Sequence, residues 1–426
     1  MLHAGLGLIA LLLLAFLCSE DRRRIPWRTV VCGVALQLVF ALLLIGIPGA
    51  DRAMIGLNDA ATALQTATLV GTQFVFGYLG GGAPAFAETH PGASFILAFQ
   101  ALPLVLTISA LASLLFHWGV LQRITAAFAW LLRRVMGIDG PLALGAAVHV
   151  FVGMVEAPLL VRPYLLRMQR GELFALMTCG MAGVAGTVMI IYASFLSALV
   201  PNALAHILIA SIISTPAGLA VAALMVPFDP ADRAEGRPEG RLVIENPPVG
   251  AIDALVKGTL DGVPILASII AVLIVTIAVV TLVNMALGLL PAVAGAPVTL
   301  ERIFALPFQP VMWLIGVPWS ETAAAAGLMA TKTVLNEFVA YLHFSSLPTD
   351  AFSPRTRMIL TYALCGFANF GSLGIVIGGL GSMVPARRAE IVALGPRTIL
   401  AGTIATCMSG ALAGALAGPL AGPLAG

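Results

Sequence analysis

Four polar residues, Glu156, Glu337, Asn369 and Ser372, lie in apolar surroundings and could act together on a solute. Glu156 sits in the run Val148-His149-Val150-Phe151-Val152-Gly153-Met154-Val155-Glu156-Ala157-Pro158-Leu159-Leu160. A charge at the centre of a bilayer costs about 2.5–3.5 kcal/mol on insertion scales, so one kept there faces a cavity or a partner. Gly153 and Pro158 break the helical pattern around it, and the freed backbone groups need packed protein or water. Glu337 lies in a second such run, Asn336-Glu337-Phe338-Val339-Ala340-Tyr341. Ionised carboxylates only accept hydrogen bonds, an amide both donates and accepts, and a hydroxyl does either. Asn369 and Ser372, three apart, share one helix face. The set suits a neutral solute rich in hydroxyls, whose vicinal diol can donate to a carboxylate; an anion would be repelled.

The elements that must carry these groups are membrane helices. Of 426 residues, 60% are hydrophobic and 10% charged, with mean hydropathy +1.02. Soluble chains carry about 25% charge, so this is a polytopic all-α membrane protein. The net charge of +2 and the lack of basic runs interleaved with aromatics exclude nucleic-acid binding. Five scattered cysteines show no metal or disulfide spacing. Six scattered histidines, with neither HExxH nor a nucleophilic serine motif, argue against the rival class, an intramembrane enzyme.

Apolar runs long enough to cross occur at roughly 2–18, 29–47, 94–117, 172–199, 202–226, 263–290, 356–383 and 391–416. Eight crossings follow. Two interrupted stretches, about 140–166 and 310–344, read as re-entrant hairpins. Arg22, Arg23, Arg24 and Arg28 place the end of the first helix inside and the N-terminus outside; Arg123, Arg133, Arg134, Arg387 and Arg388 then also fall inside. Segments 51–66 and 119–135 are amphipathic and suit the interface. The Gly-Pro-Leu-Ala-Gly repeats from 417 onward are expected to fray. The expected division is 1–135 as N-terminal scaffold, 136–226 as a first hairpin repeat, 227–248 as a cytoplasmic linker, 249–309 as a scaffold helix with its connector, and 310–426 as a second hairpin repeat.

The repeat is visible in the letters. Cys179-Gly180-Met181-Ala182-Gly183-Val184-Ala185-Gly186 aligns with Cys365-Gly366-Phe367-Ala368-Asn369-Phe370-Gly371-Ser372, and each copy follows a hairpin that carries an acid. With hairpins entering from opposite sides the repeats are inverted, and substrate is expected near the midplane between them. The glycines permit local unwinding that presents backbone carbonyls.

Together with Pro163-Tyr164-Leu165, these motifs in this order resemble the concentrative nucleoside transporter family over essentially the whole chain. The resemblance implies a homotrimer in the cytoplasmic (inner) membrane that imports nucleosides with a coupling cation by an elevator-like motion, with no cofactor and no enzymatic activity. It carries ribose binding to Glu337, Asn369 and Ser372. It places Gly153, Met154, Val155, Glu156 and Val188 beside the base, with Phe367 next to the substrate. The family usually has Gln and Thr where Met154 and Val155 stand, so base selectivity is open. Its cation site falls on His149, Val152, Gly183 and Val184, where His149 and Gly183 replace an Asn and a hydroxyl residue. Sodium wants oxygen ligands, so a proton carried by His149 or Glu156 is the hypothesis, with sodium the alternative. Structural alternatives are an ion pair of Glu337 with Lys332 or of Glu156 with Arg162, and packing roles for His149, Asn369 and Ser372. Functional alternatives are a cation channel and a carrier for another neutral polyhydroxylated solute.

Overall fold

Helices account for the apolar runs, and among the described residues the β pairing is one isolated bridge between Val293 and Ala296. The computed structural model describes residues 2–46, 50–86, 94–154, 156–230, 248–293 and 295–420. Val155, most of the expected linker (231–247) and the last six residues lie outside them.

The chain begins with α1 (Leu2–Leu17), α2 (Trp27–Gly46), α3 (Ala50–Phe76), α4 (Leu104–His117) and α5 (Val120–Met136). The first repeat follows as α6 (Gly140–His149), α7 (Glu156–Leu160), α8 (Arg170–Ala182), α9 (Gly186–Leu196) and α10 (Ala203–Met225). After α11 (Ala251–Leu287) and α12 (Leu300–Leu314) come α13 (Trp319–Val334), α14 (Glu337–Ser346), α15 (Pro354–Ala363), α16 (Phe370–Met383) and α17 (Arg388–Leu420). Among the described residues, five stretches of helix are long and apolar enough to cross a membrane: Trp27–Ile45, Leu97–His117, Ala203–Met225, Ala251–Leu287 and Pro385–Leu416. The expected crossings at 172–199 and 356–383 are each broken in the middle, as α8 then α9 and α15 then α16. Of the stretch 310–344, the first residues belong to α12, which packs along α13, and α14 follows α13 after a break at Leu335. In a row of apolar residues, composition could not show where one helix ended and the next began.

Two packing groups emerge. The windows of α10 and α17 that could cross are 89% and 83% buried, and α1, α2, α8, α15 and α16 gather on these helices. Polar side chains join three of them: Gln37 Nε2 donates to Ser409 Oγ at 3.1 Å, and the Ser214 and Ser409 hydroxyls are 2.8 Å apart. Such contacts are the usual adhesive between helices in lipid. The other group is α4 with α11, whose crossing window is only 6% buried. There a Cβ on Gly258 would lie 2.5 Å from the Ser109 carbonyl oxygen, so only glycine allows this approach. Within residues 1–135, α1 and α2 lie on α10 and α17, α4 lies on α11, and α5 packs against both α2 and α4.

At the end of the bundle where α1 turns into α2, Glu20 binds Arg170 at 2.9 Å and also pairs with Arg397, while Arg387 holds Glu390 at 2.7 Å. The Arg170 hydrogen bond holds the Glu20 carboxyl below its ordinary value of 4.5, and the same bond raises the Arg170 guanidinium.

Candidate functional site

The helix breaks exist because the sequence offers caps and glycines in place of continuous helix formers. Asn336 caps α14 by accepting the Val339 N–H at 2.9 Å, and Asn369 caps α16 by accepting the Ser372 N–H at 2.7 Å. Gly183 ends α8 in an extended conformation, and α9 restarts at Gly186. The two breaks touch: the Phe367 N–H donates to the Gly183 carbonyl at 3.2 Å. The aligned motifs of the two repeats thus meet at one point in space.

Beside that point lies a cavity of about 350 Å³. Its walls include Gly153, Met154, Glu156, Val188, Glu337, Phe367, Asn369 and Ser372. That volume falls within the ~300–1,000 Å³ typical of small-molecule sites. The two acids, 181 positions apart in the chain by subtraction of their numbers, face a single void.

Glu337 is 4% exposed, and both its oxygens are held. Tyr192 Oη donates to Oε1 at 2.7 Å, and Asn369 Nδ2 donates to Oε2 at 2.8 Å. Asn369 thereby does two jobs, capping α16 through its carbonyl oxygen and binding the acid through its amide nitrogen, which an Asp could not do. As the first residue of α14, Glu337 also sits where a helix dipole favours negative charge. A buried ion costs several kcal/mol, and two charge-assisted bonds of ~1.5–3 kcal/mol each are the scale needed to offset it. Lys332 is not its ion-pair partner: Nζ donates to the Ala363 carbonyl at 2.8 Å and the Thr406 hydroxyl at 3.1 Å.

Glu156 is different. Half-buried at the start of α7, it makes no ion pair among the described residues, and Arg162 is exposed. Its carboxylate folds back over Gly153, where a Cβ would come within 2.2 Å of Oε2 and push the side chain aside. Glu156 also lines a second cavity of about 590 Å³, which is bounded by Ser109, His117, Lys257 and Asp261.

The residues matched to the cation site come together less fully. His149 is buried at the end of α6 with Nε2 unpartnered, whereas the Gly183 carbonyl is occupied by Phe367 and the Val184 N–H donates to Ser211 Oγ at 3.3 Å. No cluster of three or more His, Cys, Asp or Glu able to hold a metal occurs among the described residues. Val155 lies outside them.

Sequence reasoning missed Tyr192 and the α11 wall formed by Ile265, Ser268, Ile269 and Val272. Tyr192 was within reach, since it lies four residues after Val188 and so on the same face of α9. The α11 wall is apolar except for Ser268, which nothing around it in the sequence singles out.

Family models match three stretches of the chain. "Na+ dependent nucleoside transporter C-terminus" matches residues 206–414, the corresponding N-terminus matches 6–79, and "Nucleoside recognition" matches 98–199. The putative nucleoside permease NupX of Escherichia coli is 32% identical, with 96% of this chain and 97% of that protein covered. Solute carrier family 28 member 3 of mouse is 35% identical over 95% of this chain, which spans 57% of that longer protein. The solved structure of CNTnw in an inward-facing substrate-bound state is 34% identical, with TM-score 0.86 and 98% of both chains covered. The chain belongs to the concentrative nucleoside transporter family. As a concentrative nucleoside transporter it is a secondary active membrane carrier and not an enzyme. A mutant of CNTnw in an outward-facing state is 33% identical and matches with TM-score 0.88 over 98% of both chains.

Proposed function

We propose that this transporter is a proton-coupled nucleoside symporter that imports nucleosides across the cytoplasmic membrane. The observation that carries the site is the single cavity in which both acids meet Asn369 and Ser372. In this reading Glu337, Asn369 and Ser372 hold the ribose hydroxyls. Glu156, with Gly153, Met154 and Val188, surrounds the base, and Phe367 packs beside the substrate. Because Met154 has no hydrogen-bonding group to match a base edge, recognition of the base falls chiefly to Glu156.

Proton coupling is favoured over sodium by the donor set. His149 and Gly183 supply no side-chain oxygen, and the Gly183 carbonyl already accepts from Phe367. Glu156 is the better carrier of the two proposed, since it is unpaired among the described residues and lines two cavities. Protonation of Glu156 on one side and release on the other would link the proton gradient to substrate affinity.

For the motion we propose an elevator. The body built on α10 and α17, including α1, α2 and both hairpins, moves against α4 and α11, which contribute the scaffold of a homotrimer. The exposed apolar surface of α11, including Leu260, Ile274 and Leu282, would face lipid or neighbouring subunits. Radiolabelled uptake of uridine, adenosine and free ribose into proteoliposomes, with and without sodium at two pH values, tests the reading. The expected result is saturable nucleoside uptake with counterflow, driven by a pH gradient and indifferent to sodium. Strict sodium dependence removes proton coupling, and efficient uptake of free ribose or non-saturable flux removes the nucleoside carrier.

A further inference from the structure

Tyr192 joins the two repeats inside the cavity. Its hydroxyl, on α9 of the first repeat, donates to Glu337 Oε1 on α14 of the second, 145 residues away. The ring is 2% exposed and wedged between Phe338, edge-on at 6.1 Å, and Tyr341 at 5.1 Å, so the hydroxyl has no room to swing aside. The terminal torsion of a Glu side chain is soft, with a broad range of accessible angles, so its orientation has to be imposed by partners. Asn369 fixes one oxygen and Tyr192 the other. Each carboxylate oxygen has two acceptor positions. A side-chain donor thus reaches each oxygen, the acid's own backbone N–H adds to them, and Glu337 lines the cavity. A carboxylate held in this way can accept from the paired O–H groups of a vicinal diol through the acceptor positions its partners leave open.

We infer that Tyr192 is the positioning residue that holds the Glu337 carboxylate in its diol-accepting orientation, and so sets the preference for ribosyl nucleosides over those lacking the 2′,3′-diol. The inference rests on the assignment of Glu337 to the sugar. In proteoliposomes, Y192F should raise KM for uridine about tenfold, the size expected for losing a hydrogen bond to a charged group, and leave Vmax within about twofold. KM for 2′,3′-dideoxyuridine should barely change, so discrimination between the two falls by about the same factor. Y341F removes the neighbouring hydroxyl, which donates to the Thr361 carbonyl at 2.7 Å, and should keep wild-type discrimination.

Nucleoside binding to purified protein closes the cycle with E337Q and with Y192F combined with E337Q. The double variant also serves if Y192F alone fails to assemble, since it leaves no buried charge lacking a donor. Y192F is expected to cost no further discrimination once the acid is Gln. An unchanged KM in Y192F, an equal loss for uridine and dideoxyuridine, or an added loss in the double variant overturns the role of Tyr192. Undiminished uridine binding by E337Q instead overturns the sugar site itself.

Discussion

The two acids of the cavity are built in opposite ways. Glu337 is buried, starts a capped helix and has a fixed donor on each oxygen. Glu156 is half-buried, lacks an ion-pair partner among the described residues and opens on two cavities. A carboxylate held by fixed donors is preorganised to recognise one geometry, and its bonds are costly to break. A carboxylate without such partners can re-orient toward different bases at small cost. The cavity thus has one rigid acidic end and one adjustable one.

The comparison predicts a graded series of uptake defects. E337Q and N369D should be the most damaging, with uptake reduced about 100-fold or more and protein still present in the membrane. In the first, two donors face a neutral amide; in the second, two carboxylates are forced together without the bridging N–H. Near-normal uridine uptake by either would show that the rigid end does not bind substrate. E156Q should be milder, raising KM about tenfold, the scale of one lost bond to a charged group. It should also flatten the dependence of uptake on an imposed pH gradient, and an intact dependence would move the coupling proton elsewhere. M154Q should change base preference by a few-fold, on the order of one neutral hydrogen bond, without altering ribose discrimination. Competition by cytidine, uridine, adenosine and inosine reads this directly, and an identical rank order would place Met154 away from the base.

The smallest effect is expected far from the cavity. Arg170 holds the Glu20 carboxyl below its ordinary 4.5, so Glu20 contributes stability that is fully present above pH 4.5 and lost as pH falls through the lowered value. E20Q should therefore cost about 1 kcal/mol or less at neutral pH, as exposed ion pairs do. Thermal melts of E20Q and wild type should converge in acid, and a gap that widens in acid would contradict the pairing.

Much of the site was legible in one dimension. Glu156 and Glu337 were conspicuous because ions in hydrocarbon demand a reason, and the Cys179 and Cys365 motifs because a repeated pattern marks equivalent positions. The glycines of both copies marked where the chain could unwind, but Asn369, expected to share a helix face with Ser372, instead caps α16 in an extended conformation, because its amide oxygen accepts the Ser372 N–H. The boundary of the second hairpin was not legible, because α12 and α13 are both apolar and only their packing separates them. Lys332, four residues after Leu328 in an alanine-rich helix, looked like a counter-ion for Glu337. Folding delivers its ammonium to the Ala363 carbonyl and Thr406 instead.

The sequence by itself determined which residue types could serve a diol and where the helices must open, because charge cost, capping and glycine freedom are properties of short stretches. Only the tertiary structure decided that Tyr192 meets Glu337, that Glu156 is shared by two cavities, and that α1 and α2 lie with α10 and α17. Those facts depend on how helices distant in the chain turn their faces toward one another, and uniform apolar surfaces carry no local signal that fixes that rotation.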